Sequence, residues 1–468
     1  MHEPVAPARV TIVGGGLTGA AAAVQLARAR PGLAITVVEP RQELGRGLAY
    51  TAPDPDHRLN AAPEGHTLDP DDPGDLQRWI RANGVLANDP ESVAENGVVY
   101  VRRDDYGRYV GDRLREQPGI RHLRDAAIDL VPGTTSMSVR TAAGAALECE
   151  LAIIATGNAR PRLPSPLEAL AGHPAVMEDP GDLARIRAIA PDARVLLVGG
   201  ALTALDIAST LVRRGHRGRI TVISRRGLRP RPHRRAPPSP DGPSVFERTM
   251  GPIPPFVLEV GSAPTVRKLL RALRRRIAEV EAQGGEWQTA FDELRDVVWR
   301  FWPAVEPADK RRFLRRLRPW YDVHRFRAPP QNVALVEAAE REGRVCYRVL
   351  RIASAEPRDD GIAVNGETYD AIVNCTGLDP AAGAADNPVL AALLERGILT
   401  GDPSGLGFAV DAECRPLARN GVAQARLRVL GPPAAGTFGD PLGAPFIVPQ
   451  VRRALPGMLA VLDCYPRP

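Results

Sequence analysis

The chain has 468 residues, 44% of them hydrophobic, with a formal net charge of +6. That length calls for two or three domains, and the composition excludes wholesale disorder. No apolar run approaches the ~20 residues of a membrane helix, and MHEPVAPARV lacks the pattern of a signal peptide, so the expected address is the cytoplasm.

Val10 to Ala29, VTIVGGGLTGAAAAVQLARA, reads as a buried strand, a tight turn and a helix, and AITVVE continues it as a second strand. Gly14, Gly16 and Gly19 form G-x-G-x-x-G around Leu17 and Thr18. The first glycine permits the turn, the second admits a pyrophosphate, and the third lets helix and strand close up. The helix N-terminus offers its free N–H groups to phosphate. Glu39, followed by Pro40, ends the second strand where a carboxylate accepts ribose hydroxyls. A polar, loop-rich stretch then runs from Gly45 to Pro90. A helix is expected around Tyr106 to Gln117, and ELAIIATGNARP is a buried strand with a small-residue end at Ala155, Thr156 and Gly157.

VLLVGGALTALDIASTLVRRG, Val195 to Gly215, echoes the first unit, with Gly199, Ala201 and Ala204 in the three fingerprint places. Alanine in the second place narrows the room for a pyrophosphate. After the next strand, RITVIS, stand Arg225 and Arg226 rather than an acid. Guanidinium forks there suit a ribose phosphate, which favours NADPH over NADH. An Arg/Pro tract follows. In the next helix Val266, Leu269, Leu270, Leu273, Ile277 and Val280 share one apolar face opposite a basic one. Asp309 to Arg327 reads as another basic helix stopping near Pro319. YDAIVNCTGLDP repeats the earlier strand end at Thr376 and Gly377, and the tail reads as strand, Gly/Pro loop and terminal helix.

Chemistry outside nucleotide binding is sparse. Lys268 and Lys310 are the lysines, which argues against Schiff-base catalysis. Cys149, Cys346, Cys375, Cys414 and Cys464 form no C-x-x-C pair, so neither a redox disulfide nor a metal site is expected. The basic helices with interleaved aromatics fit a solvated face or an anion-attracting rim better than a nucleic-acid surface.

The motifs ELGRGLAYTAPDPDHRLN, SRRGLRPRPH, RRFLRRLRPWYDVHRFRAPP, NCTG and GTFGDP, with both glycine turns, resemble the bacterial FAD/NAD(P)-binding proteins of the YdhS type. More distantly, the chain resembles flavin-dependent N-hydroxylating monooxygenases. The resemblance implies an α/β fold with two Rossmann-like dinucleotide-binding domains, the two-dinucleotide-binding flavoprotein plan, with a helical insert. Residues 1–160 would form the N-terminal part of an FAD domain, 161–330 a nicotinamide domain with the Arg-rich insert, and 331–468 the C-terminal part of the FAD domain. FAD would sit on the first unit, with Arg46, Gly47 and Leu48 of GRGLAY and the Ala155–Gly157 end beside it, and NADPH on the second. Relatives usually continue LN with V-P-A and follow GTF with an aromatic and an acid, whereas this chain has LNAAPEG and Gly439–Asp440.

The activity so implied is an FAD-dependent oxidoreductase reduced by NADPH. It would act as a monooxygenase on the nitrogen of a small amine or amino acid, with oxygen trapped as a flavin hydroperoxide. A flavin reductase or dehydrogenase without oxygen insertion, and a non-catalytic nucleotide-binding protein, are the alternatives. His57, Asn60 and Asp440 are the candidate groups around the reactive face. Asp71 and Asp72 are candidates for a cationic substrate or, more commonly, a helix N-cap. His324 is a candidate for aromatic packing or for closing over the nicotinamide.

Overall fold

The computed structural model describes residues 8–51, 54–237, 242–377, 383–439 and 443–463. Cys464 and Asp440 fall outside them. Two five-stranded parallel sheets organise the chain. In the first, the strands run in the spatial order Leu427–Val429, Leu151–Ile154, Arg9–Val13, Ala34–Val38 and Ile120–Leu123. In the second the order is Val345–Val349, Ile220–Ser224, Val195–Val198, Ala371–Asn374 and Val176–Met177. The central strands are near-continuous runs of buried Val, Ile and Leu, as parallel strands covered on both faces must be.

The echo between the units extends beyond the glycine turns. A three-stranded antiparallel sheet, Ala127–Pro132, Met137–Thr141 and Ala146–Cys149, leads into the Leu151–Ile154 strand. A second one, Ala355–Arg358, Gly361–Val364 and Glu367–Tyr369, leads into Ala371–Asn374. The second sheet therefore takes two strands from beyond residue 330, and a boundary placed there divides it. The physical reason is pairing: Ile220 aligns with Val345 and Ala371 with Val195, so the ladder closes only with those later segments. Leu427–Val429 and the terminal helix Ala444–Leu462 do return to the first unit. Gln25, on the helix Leu17–Ala29, donates to the Val448 carbonyl at 3.2 Å.

The helical insert has a core of its own, built on Phe256, Leu269, Leu273, Phe291, Leu294 and Trp302. Its longest helix, Val266–Ala282, is capped by Thr265, whose side chain accepts from the Lys268 amide, and it buries Leu269, Leu273 and Val280 as the spacing predicts. The expected single helix over 309–327 is instead two, Pro307–Arg316 and Arg318–Arg325. Pro319 sits in the first turn of the second, where its missing N–H has no helical partner to lose. The helix expected at Tyr106 to Gln117 spans Arg103–Arg115. Cys149, Cys375 and Cys414 are buried thiols, and burial pushes Cys149 up to about 11.

The loop after the first fingerprint is pinned from inside. Arg58 is 1% exposed and forks onto Asp89 at 2.7 and 3.1 Å, with the Tyr100 carbonyl accepting a third bond at 3.0 Å. Removing the carboxylate leaves the buried guanidinium with only the exposed Glu91, at 3.8 Å, as counter-charge. Asp89→Ala is expected to cost about 3–5 kcal/mol of stability, read from urea unfolding followed by circular dichroism. A loss below about 1 kcal/mol would show that solvent reaches Arg58.

Candidate functional site

Each unit brings a glycine turn against the end of a neighbouring strand in the same way. Gly14 lies at φ +103°, and a Cβ there would overlap the Ala155 carbonyl. Gly199 lies at φ +122°, and a Cβ there would overlap the Cys375 carbonyl. The ladder fixes both turns: Gly14 N donates to Val38 O and Gly199 N to Ile223 O, while Ala155 N and Cys375 N donate to Val13 O and Val198 O. No other residue type fits either position without strain. Gly19 serves a different need, since a Cβ on it would collide with the Gly14 carbonyl and force helix from turn.

The turn is open where a ligand would lie. The helix Leu17–Ala29 begins at Gly16 with no side-chain cap, which leaves its first amides free to meet phosphate. Leu17 and Thr18 are buried in its first turn. Glu39 is buried at the strand end. It accepts from Gly15 N at 2.9 Å through one oxygen and from Arg41 N and Nη1 at 3.0 Å through the other. The carboxylate thus sits beside the turn with lone pairs to spare, and Pro40 is exposed beyond it. The GRGLAY loop folds over the turn. Gly45 N donates to Gly15 O at 2.7 Å, and Gly47 opposes Gly16, where a Cβ would stand 3.4 Å from the Gly47 Cα. Arg46 is held by Glu43 and Asp104, and Leu48 is 60% exposed. Across the turn, the Thr156 hydroxyl is buried with no partner among the described residues.

Two residues of this site carry little signal in the sequence. Gly431 follows the Leu427–Val429 strand at φ +74° and abuts Thr18, and its amide donates to the buried Gln450 side chain at 2.8 Å. A glycine after a late strand is the one legible hint.

In the second unit, Ala201 is exposed at the start of the helix Leu202–Arg213, so its methyl narrows the mouth of the turn, whereas Ala204 is fully buried against the sheet. Arg225 and Arg226 are exposed at the end of Ile220–Ser224, with no ion-pair partner among the described residues. Thr376 and Gly377 stand at this turn, not at the first one; the Thr376 hydroxyl donates to Asn374 Oδ1 at 2.7 Å.

The remaining candidates separate. His57 faces the second unit: its Nε2 lies 3.3 Å from the Thr210 hydroxyl, and burial lowers its pKa. It belongs to a seam of ion pairs between the units. Arg103 meets Asp206 at 2.7 Å, and Arg213 meets Asp56 at 2.6 Å and Glu91 at 2.9 Å. Asn60 is half-buried beside His233, a residue of the Arg/Pro tract that the sequence did not single out. Burial and the nearby Arg327 charge push His233 down to about 4. Asp71 and Asp72 pair with Arg452 and Arg78, and the following helix, Asp75–Ala82, starts at Gly74 without a side-chain cap. His324 packs in the insert core against Trp287 and Phe291. No cluster of metal-ligating side chains exists among the described residues, nor any helix there long and apolar enough to cross a membrane.

Residues 11–159 match the family described as FAD-NAD(P)-binding. A comparison with curated protein sequences finds no match. Among solved structures, the ornithine hydroxylase of Pseudomonas aeruginosa in its reduced form is similar at 17% identity and a TM-score of 0.62, over 97% of this chain and 100% of that one. The L-lysine 6-monooxygenase of Pseudomonas syringae is similar at 16% identity and 0.61, over 97% and 99%. The ornithine N-hydroxylase of Kutzneria sp. 744, with reduced FAD, NADP+ and L-ornithine, is similar at 15% and 0.62, over 98% and 99%. The fold is that of the two-dinucleotide-binding flavoproteins.

Gly19→Ala is expected to strain the first turn by about 1–3 kcal/mol and to lower the flavin-to-protein absorbance ratio of the purified protein. Full flavin content in that variant would show that the turn relaxes around the methyl.

Proposed function

We propose that this chain is an FAD- and NADPH-dependent monooxygenase acting on the nitrogen of a small amine or amino acid, within the YdhS-like group of FAD/NAD(P)-binding proteins. The single observation that carries this is the end-to-end fold likeness to amine N-hydroxylases, together with two open nucleotide turns in one chain. The group assignment draws on LGRGLAY, RPWYDVHR and the GTF loop.

The first turn fits FAD. The free amides at Gly16 to Thr18 would take the pyrophosphate, Glu39 the ribose, and the Thr156 hydroxyl offers an unmatched polar atom at the adjoining strand end. The second turn would take NADPH, whose ribose phosphate Arg225 and Arg226, exposed after the strand, would meet. Bound at the first turn, FAD would supply the redox chemistry linking the nicotinamide, oxygen and an amine. The chain's own work is positional. The Arg103–Asp206 and Arg213–Asp56 pairs hold the two units in one arrangement, which lowers the entropic cost of bringing two cofactors together. Trp302 Nε1 donates to Gly436 O at 3.0 Å and docks the insert on the terminal loop.

Anaerobic mixing with NADPH is expected to bleach the flavin much faster than NADH does. The double variant Arg225→Ser/Arg226→Ser should lose that preference, since each charge-assisted bond to phosphate contributes about 1.5–3 kcal/mol. Equal rates with both nicotinamides, unaltered in the variant, would sink the arginine reading. No bleaching with either would sink the oxidoreductase. Bleaching without amine-stimulated oxygen uptake would leave a reductase or dehydrogenase.

A further inference from the structure

The helical insert lines a half-open cavity of about 890 Å³, within the range of small-molecule sites. Its wall is apolar. Trp287, Phe291, Trp302 and Phe313 supply aromatic faces, and Leu270 and Leu273 of the Val266–Ala282 helix supply aliphatic ones. The wall is not made by the insert alone. Gly439, next to the GTF sequence, completes it, and a Cβ on Gly439 would press to 3.1 Å from Trp302. The cavity thus lies on the seam between the insert and the terminal loop of the first unit.

The charges around it are mostly positive. Arg231, Arg274, Arg295 and Arg318 line it, against a single carboxylate, Glu281, which is exposed on the same helix as Arg274. Arg295 is taken up by Asp292 at 2.8 Å and Asp296 at 2.7 Å, and Arg318 by Asp322 at 3.3 Å. Asp292 and Asp296 are engaged again by Arg327 and Arg248. Glu281, at the exposed rim, is the one lining carboxylate without a partner among the described residues, against two such arginines. Arg231 and Arg274 are exposed and have no carboxylate partner among the described residues. His324 also lines the cavity. Its Nδ1 donates to the Trp320 carbonyl at 2.7 Å, and burial lowers the pKa of the ring.

We infer that this cavity binds an organic anion with a bulky aromatic or branched apolar body, the carboxylate held at the rim by Arg231 and Arg274. The ligand body gains from leaving water, whereas an ammonium group would meet two unpaired arginines for the single rim carboxylate, Glu281. This deepens the proposed function and rests on it in one respect: if the enzyme oxygenates nitrogen and takes its substrate from this cavity, that substrate is an apolar-bodied amino carboxylate. The same lining favours the neutral, nucleophilic form of the amine, because burial disfavours its charged form.

The test uses the flavin-loaded full chain and 4-biphenylacetate, with 4-biphenylmethylamine, L-lysine and L-ornithine as controls. Binding is read by calorimetry and by quenching of tryptophan fluorescence, since Trp287, Trp302 and Trp320 line the cavity. 4-Biphenylacetate is expected to bind saturably, the amine at least about tenfold more weakly, and lysine and ornithine not at all. Leu270→Trp, which fills the cavity from a half-buried position, should abolish binding. Arg274→Glu, an exposed change that leaves the core alone, should weaken it at least about tenfold. Absence of binding, binding indifferent to both variants, or preference for the amine or for lysine would overturn the inference. Oxygen uptake with NADPH and 4-phenyl-L-phenylalanine is then measured separately. Binding of that amino acid without stimulated uptake upholds the cavity and counts against the monooxygenase.

Discussion

A backbone carbonyl crowding a glycine is the contact on which both halves of this molecule depend. Ala155 O under Gly14 and Cys375 O under Gly199 leave no room for a side chain. Each contact brings the end of one parallel strand against the turn leaving its neighbour. The strand registers, the start of each following helix and the open patch of amide groups above it all follow from that approach. Two copies of one constraint, separated by a long stretch of chain, produce two glycine turns with the same internal geometry.

What relates the copies to one another is electrostatic. Buried Asp54, Asp56 and Asp206 each meet an arginine from the opposite unit, and His57 lies among them against Thr210. Single exposed ion pairs contribute little, but carboxylates this deeply buried cannot be left unpaired without a large penalty. The seam therefore favours one relative placement of the units. The loop carrying Asp54 to Asn60 works on two fronts: Arg58 roots it inside the first unit, and its acids hold the second.

The insert follows other rules. It has a separate core, and it touches the terminal loop through Trp302 and Gly439. Some of its arginines are committed to buried acids, as Arg295 and Arg327 are to Asp292. Others stay exposed around an apolar hollow.

Both glycine turns, Glu39, the basic pair after the second unit and the amphipathic helix at 266–282 were legible in the sequence. Each depends on neighbours a few residues away, and short-range sterics and periodicity suffice to specify them. The segments at 345–349 and 371–374 were misassigned to the first unit because strand partnership is a long-range choice that hydrophobic pattern does not encode. His57 reads as a site residue in DHRLN until its partner on another domain is known. Gly431 and His233 gain meaning only from what they meet, Thr18 in one case and Asn60 in the other. Local sterics and periodicity set the two glycine turns and the helices that leave them. Only the tertiary structure decided which strand closes which sheet, which arginines are already spent on buried acids, and where an apolar space remains, because those depend on packing and desolvation across distant parts of the chain.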